Sequence, residues 1–180
     1  MNADGSVGPV EERLFYYRLP WTLTLMGEIT AASRILDWIS THVFTPEGAF
    51  EGLSPQGLFA SRYGSYPLAC LLVGASLQQR HDIVYPATNR LLSWQDSESG
   101  GFYNTLPDVD GEQDLFPTAQ GGMALIQVGR IEAALSAGKW FQRVWEAQPD
   151  VQSKLYAVYG SSGLVTDFPE DQAQDYVTLK

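Results

Sequence analysis

One cysteine, Cys70, and two histidines, His42 and His81, are all this chain holds of the residue types that bind zinc best or form nucleophile–base pairs. A single thiol excludes an internal disulfide framework and a zinc site built on several thiolates from this chain alone. Neither histidine has a serine or cysteine near it in a nucleophile pattern, so both are expected as capping or exposed residues at helix ends. Positive charge is also scarce. Eleven basic residues face 21 acidic ones, a net charge of -10, and that field repels nucleic acid and anionic membrane surfaces. Long apolar runs are missing too. The stretch Leu68 to Ala75 is far shorter than the ~20 residues a bilayer span needs, and MNADGSVGPVEER has no signal-peptide layout. A soluble cytoplasmic protein is the expectation. Gly100-Gly101 and Gly121-Gly122 follow no strand pattern and make no phosphate loop. Asp-Val-Asp-Gly-Glu (108–112) fails the calcium-loop spacing, so no metal and no cofactor is assigned.

What is present is a helical grammar. With 44% hydrophobic and 12% aromatic residues over 180 positions, the chain can bury one substantial core. Residues 1–9 carry no periodicity and read as a loose leader; 10–180 read as one domain. Apolar residues recur at helical spacing in Leu14, Tyr17, Trp21, Leu25 and again in Ile35, Trp38, Ile39. Pro20, Pro67 and Pro117 each stand where a helix would open, and Pro86 is read as opening a further one. Pro20 precedes Gly27 by seven residues, as Pro67 precedes Gly74; Gly27 precedes Trp38 by eleven, as Gly129 precedes Trp140. Gly48-Ala49-Phe50 recurs as Gly100-Gly101-Phe102, with Gly163-Leu164-Val165 a weaker copy. The unit is a helical hairpin plus a glycine turn, repeated three times, with joints at Gly27, Gly74 and Gly129. No long strand-period run competes, so an all-α fold is expected, with residues 150–180 a further loop.

A hairpin repeat of this kind resembles the α/α toroids of the terpene and squalene cyclases and of the protein prenyltransferase β subunits. Gln95 followed by Gly100-Gly101-Phe102 is similar to the cyclases' glutamine-and-aromatic repeat, with one extra residue and Phe where Trp is common. Pro117-Thr118-Ala119, Ala124-Leu125 and Gly129 follow in the order of an inner helix of that family. The resemblance covers roughly residues 14–168 and implies an α/α toroid of which three hairpins, about half a ring, are visible. The remainder would come from a longer chain or from a partner, self-association included. Departures from the family pattern are specific. Cys70 has no suitable histidine beside it for the prenyltransferase zinc site. Leu115-Phe116-Pro117 separates Asp114 from Thr118-Ala119, where class II cyclases place aspartates directly. Gly111-Glu112-Gln113 follows Asp110 rather than a cysteine, so a complement-type thioester cannot form.

In such a ring the glycine turns lie at the mouth where inner-helix N-termini point. The loop Asp96 to Asp114 would line that mouth with Asp96, Glu98, Asp108, Asp110, Glu112 and Asp114. Clustered carboxylates repel, which raises the pKa of one or more and suits it to act as a general acid. Asp110 and Asp114, nearest the helix, are the leading candidates, with Asp108 the third; a solvated acidic loop capping a helix is the plainer reading. Tyr63, Tyr66, Phe102, Tyr103 and Phe116 are candidates to line a substrate cavity, and Arg62 to grip a ligand anion. The expected function is acid-initiated cyclisation or isomerisation of a small apolar substrate. A carbohydrate-active toroid with paired carboxylates and a non-catalytic interaction module are the alternatives.

Overall fold

The computed structural model describes residues 1–2, 4–8, 16–50, 62–105 and 111–179, leaving the side chains of 174–175 and 178–179 undescribed. About half of the chain is helical. Helices α1 (Leu19–Leu25) and α2 (Ile29–His42), α3 (Ser65–Leu77) and α4 (His81–Leu92), and α5 (Leu115–Gln127) and α6 (Ile131–Glu146) form three antiparallel hairpins. The first helices pack side by side as a row, α1 on α3 and α3 on α5, and each second helix packs on its own partner. Among the described residues no helix is long and apolar enough to cross a membrane.

The three hairpins close in the same way. In the first, the amide of Glu28 reaches back to Leu23 O and that of Gly27 to Thr24 O. Arg80 with Ala75 and Gln79 with Ser76 repeat this pair, and so do Arg130 with Leu125 and Gly129 with Ile126. This is the Schellman closure, which satisfies carbonyls left over at a helix end and needs a left-handed residue at its centre. That residue is Gly27 (φ 83°), Gln79 (φ 56°) and Gly129 (φ 75°). The second joint therefore lies at Gln79, five residues beyond the expected Gly74. Spacings of 52 and 50 residues replace the expected 47 and 55.

Gly74 has a different task. It lies inside α3, where a Cβ would sit 2.7 Å from the Trp21 amide nitrogen and 3.0 Å from Pro20 Cβ. Its missing side chain lets α1 approach α3. Pro86 likewise lies within α4 rather than opening a helix.

The glycine turns sit on the second helices. A Cβ at Gly48 (φ 81°) would collide with the Pro86 carbonyl of α4, and one at Gly100 (φ 84°) with the Ser136 carbonyl of α6. Gln95 fastens the latter turn, its Nε2 donating to Gly100 O (2.9 Å) and Ala133 O (2.8 Å). The segment expected as a loose leader contains a further copy. Gly5 (φ 90°) would collide with Arg34 O on α2, and the Tyr16 hydroxyl bonds both Val7 N and Val7 O. Arg34, Pro86 and Ser136 are again 52 and 50 residues apart.

The core runs through the row. Leu68 to Ala75 of α3 are all buried, because neighbours flank this helix on both sides and α4 lies behind it. Phe102, Leu125 and Trp140 extend the buried interior toward the third hairpin.

The expectation of an all-α chain is corrected at the C-terminus. β1 (Gln113–Asp114), β3 (Val158–Gly160) and β4 (Gly163–Leu164) form a small antiparallel sheet in the order β1-β3-β4. β2 (Lys154–Tyr156) pairs with β5 (Val177–Leu179). The run Leu155-Tyr156-Ala157-Val158-Tyr159 is rich in aromatic and β-branched residues, and Gly160 to Gly163 supplies the hairpin turn. Strands this short carry too few residues to show a period, which is why the sequence reads as a loop.

Candidate functional site

Side-chain bonds between neighbours fix the row as parallel. Arg18 Nη2 donates to the Tyr66 hydroxyl (2.8 Å), and the Tyr63 hydroxyl donates to Asp114 Oδ2 (3.1 Å), both at helix N-terminal ends. At the opposite end Gln78 Nε2 donates to Thr24 Oγ1 (2.8 Å). The N-terminal ends of α1, α3 and α5 therefore share one rim.

Asp114 is the centre of that rim. It is the N-cap of α5: backbone extended, Oδ1 accepting from Phe116 N at 2.9 Å, as the orphan amides of a helix start require. The side chain is 1% exposed. Burial disfavours the charged form and pushes its pKa up to about 6, against the pull of the Phe116 amide, the Tyr63 hydroxyl and the nearby Arg62. Repulsion from Glu112 contributes in the same direction but least. Desolvation, rather than the expected crowding of carboxylates, thus makes this acid a weak one.

Around it stand three of the residues expected from sequence. Burial, and then the Asp114 charge, raise the Tyr63 phenol; the Tyr63 ring stacks on Phe116, centroids 5.9 Å apart. Phe116 is 54% exposed. The Arg62 guanidinium lies over the rings of Tyr63 (5.7 Å) and Tyr176 (5.2 Å). Tyr176 was not anticipated: it comes from the C-terminal segment, donates to Glu112 Oε1 (3.4 Å) and stacks on Phe168.

Two further residues were missed. Asn104 is tied by its backbone to both sides of the site, its amide donating to Glu112 O and its carbonyl accepting from Gly64 N. Its side chain is 2% exposed, yet neither Nδ2 nor Oδ1 has a partner among the described residues. Ser65 Oγ, adjoining Gly64, is also buried and has no partner among the described residues. Buried polar atoms are paired in the great majority of cases, so these three atoms, on residues linked through the Gly64–Asn104 backbone bond, stand out as polar groups in the interior. No periodic pattern marks Asn104; only the tertiary pairing of its backbone reveals it.

The remaining candidates lie elsewhere. Phe102 is fully buried, its amide bonded to Thr118 Oγ1 and its ring against Gly121, so it is core and not a cavity wall. Tyr103 pairs with Gln113 beside the Asp96–Gln113–Ser99 hydrogen-bond network, away from the Asp114 carboxyl. Tyr66 belongs to the neighbouring gap between α1 and α3. Asp108 and Asp110 lie outside the described residues. Among the described residues no three of His, Cys, Asp and Glu gather as a metal site would require. His42 and His81 are exposed, at the end of α2 and the start of α4.

The chain matches no family model, no curated protein and no solved structure. What the rim can do follows from its own chemistry. A carboxyl with a pKa of about 6 donates a proton more readily than water does and still exists partly protonated near neutrality.

Proposed function

We propose that this chain is an arc of an α/α toroid and that its rim performs acid-initiated cyclisation or isomerisation of a small, largely apolar substrate. The observation that carries this reading is the Asp114–Tyr63 pair: an enclosed carboxyl of raised pKa bonded to a phenol whose ring stacks on the exposed Phe116. In the ionised state Tyr63 donates to Asp114. Once Asp114 is protonated the bond reverses, Asp114 donating to the Tyr63 oxygen and leaving the phenolic hydrogen to reach a substrate. Transfer of that hydrogen, with Asp114 re-protonating Tyr63, delivers one proton and leaves an aspartate. The exposed ring of Phe116 then stabilises positive charge on carbon. The parallel row of hairpins, the glycine turns on the second helices and Gln95 support the toroid half of the proposal.

Incubation with acyclic isoprenoid epoxides and alkenes, followed by mass spectrometry of products, tests it. Turnover should fall as the pH rises through about 6. Asp114→Asn and Tyr63→Phe should each lower it by ~100-fold or more, the usual worth of a positioned proton donor. Full turnover in Asp114→Asn would overturn the assignment.

A further inference from the structure

A second feature of the row is independent of Asp114. Between α1 and α3 lies an open groove of about 450 Å³, lined by Arg18, Trp21, Thr22 and Tyr66 and running to Leu25 and Met26. Arg18 is half-buried at one end. Its guanidinium stands 5.5 Å from the Tyr17 ring and 5.1 Å from the Tyr66 ring. Nη2 donates to the Tyr66 hydroxyl, while Nε is buried without a partner among the described residues. No carboxylate neutralises it among the described residues: the groups that act on its charge are Tyr17, Tyr66 and Cys70. A guanidinium stays protonated at any physiological pH, so this is a permanent, partly desolvated cation with donors to spare. The opposite end is apolar and exposed, Leu25 at 71% and Met26 at 70%, with the Trp21 indole between. From Arg18 to Met26 the chain rises by ~12 Å at helical pitch.

We propose that this groove binds an amphipathic monoanion, a carboxylate on a medium-length apolar chain. The carboxylate would sit on the outer Nη1–Nη2 edge of the Arg18 guanidinium, which offers donors to its two oxygens while Nε stays buried. The chain would lie over Trp21 and cover Leu25 and Met26, removing their apolar surface from water. The single cation sets the charge of the head, and the distance to Met26 sets the length of the tail. A cationic head is excluded by Arg18, and a neutral one leaves its charge uncompensated.

Titration calorimetry with decanoate, decanol and decyltrimethylammonium below their aggregation limits tests the proposal. Decanoate should saturate one site; decanol should bind about tenfold more weakly, the loss of one charge-assisted contact; the ammonium should not bind. Arg18→Gln should bring decanoate to the level of decanol, with decanol affinity unchanged to show that the groove is retained. Leu25→Glu, at an exposed position, should weaken decanoate and decanol alike. Asp114→Asn should leave decanoate binding intact, which separates this site from the proposed acid. Absence of saturable decanoate binding, equal binding of acid and alcohol, or unchanged decanoate affinity in Leu25→Glu would each overturn it. Sedimentation with anionic phosphatidylserine vesicles in place of free decanoate binding would also overturn it, assigning the groove to a lipid surface.

Discussion

At the scale of single residues, Asp114 couples stability to pH with an unusual sign for a carboxylate. Its pKa is raised from 3.8 to about 6 in the folded chain. The folded state therefore holds the proton more tightly than the unfolded one. The associated stabilisation is complete below about pH 4 and is lost as the pH rises through about 6. Its size is on the order of 3 kcal/mol, from the rule of about 1.4 kcal/mol per pKa unit. Urea unfolding between pH 4 and 7 should show stability falling across this window, and Asp114→Asn should flatten that slope while keeping the N-cap, since Asn caps as well as Asp. Asn104 offers a second measurement. Replacing it with Leu removes two unpaired buried atoms and should raise stability by ~1 kcal/mol, because an unmet donor or acceptor costs its full desolvation. A loss of stability instead would show that a buried water or ligand group normally completes Asn104.

The helical elements turn on two positions that the sequence invites one to confuse. Gly74 fills the expected joint, but it is a packing glycine; Gln79 is the joint and carries the left-handed backbone. Gly74→Ala should destabilise by ~1–3 kcal/mol, since the clash is with the backbone of α1 and no rotamer relieves it. Gln79→Gly should stabilise by ~0.5–1 kcal/mol, because left-handed backbone strains a side chain and not glycine. Thermal denaturation of the two variants, read side by side, checks both signs. Gly100→Ala should be more damaging than Gly74→Ala, combining positive φ with a collision against the Ser136 carbonyl.

On the scale of the whole molecule, among the described residues no further helix packs on the far side of α5 at the end of the row of first helices. Ala69 and Val73 are buried in the middle of the row, whereas their counterparts fifty residues on, Ala119 and Met123, are exposed. Phe116 and Ile126 continue the same apolar stripe of α5. Sedimentation velocity of this chain should therefore show concentration-dependent self-association, weakened by Met123→Lys. A strictly monomeric chain across the concentration range would count against that face being adhesive. The net charge of -10 opposes association at a distance, so the effect should strengthen with added salt.

The sequence by itself determined the helical hairpins. Proline in the first turn, a left-handed residue at the joint and apolar residues at helical spacing act within a few positions of one another. Local chemistry of this kind is legible in order along the chain. Gly48 and Gly100 were likewise readable as turns, and Asp114 as the acid beside a helix start. Only tertiary structure decided the rest. Gly74 and Gln79 exchange roles because close helix approach, not chain reversal, demands the glycine. Gly5 docks on α2 through a carbonyl 29 residues away in sequence. Phe102 leaves the candidate list because Gly121 opens a space for its ring. Asn104, Ser65, Arg18 and Tyr176 join the candidates through partners, or missing partners, supplied by other elements. The raised pKa of Asp114 follows from exclusion of water, and burial is a property of the assembled row, not of any stretch of its sequence.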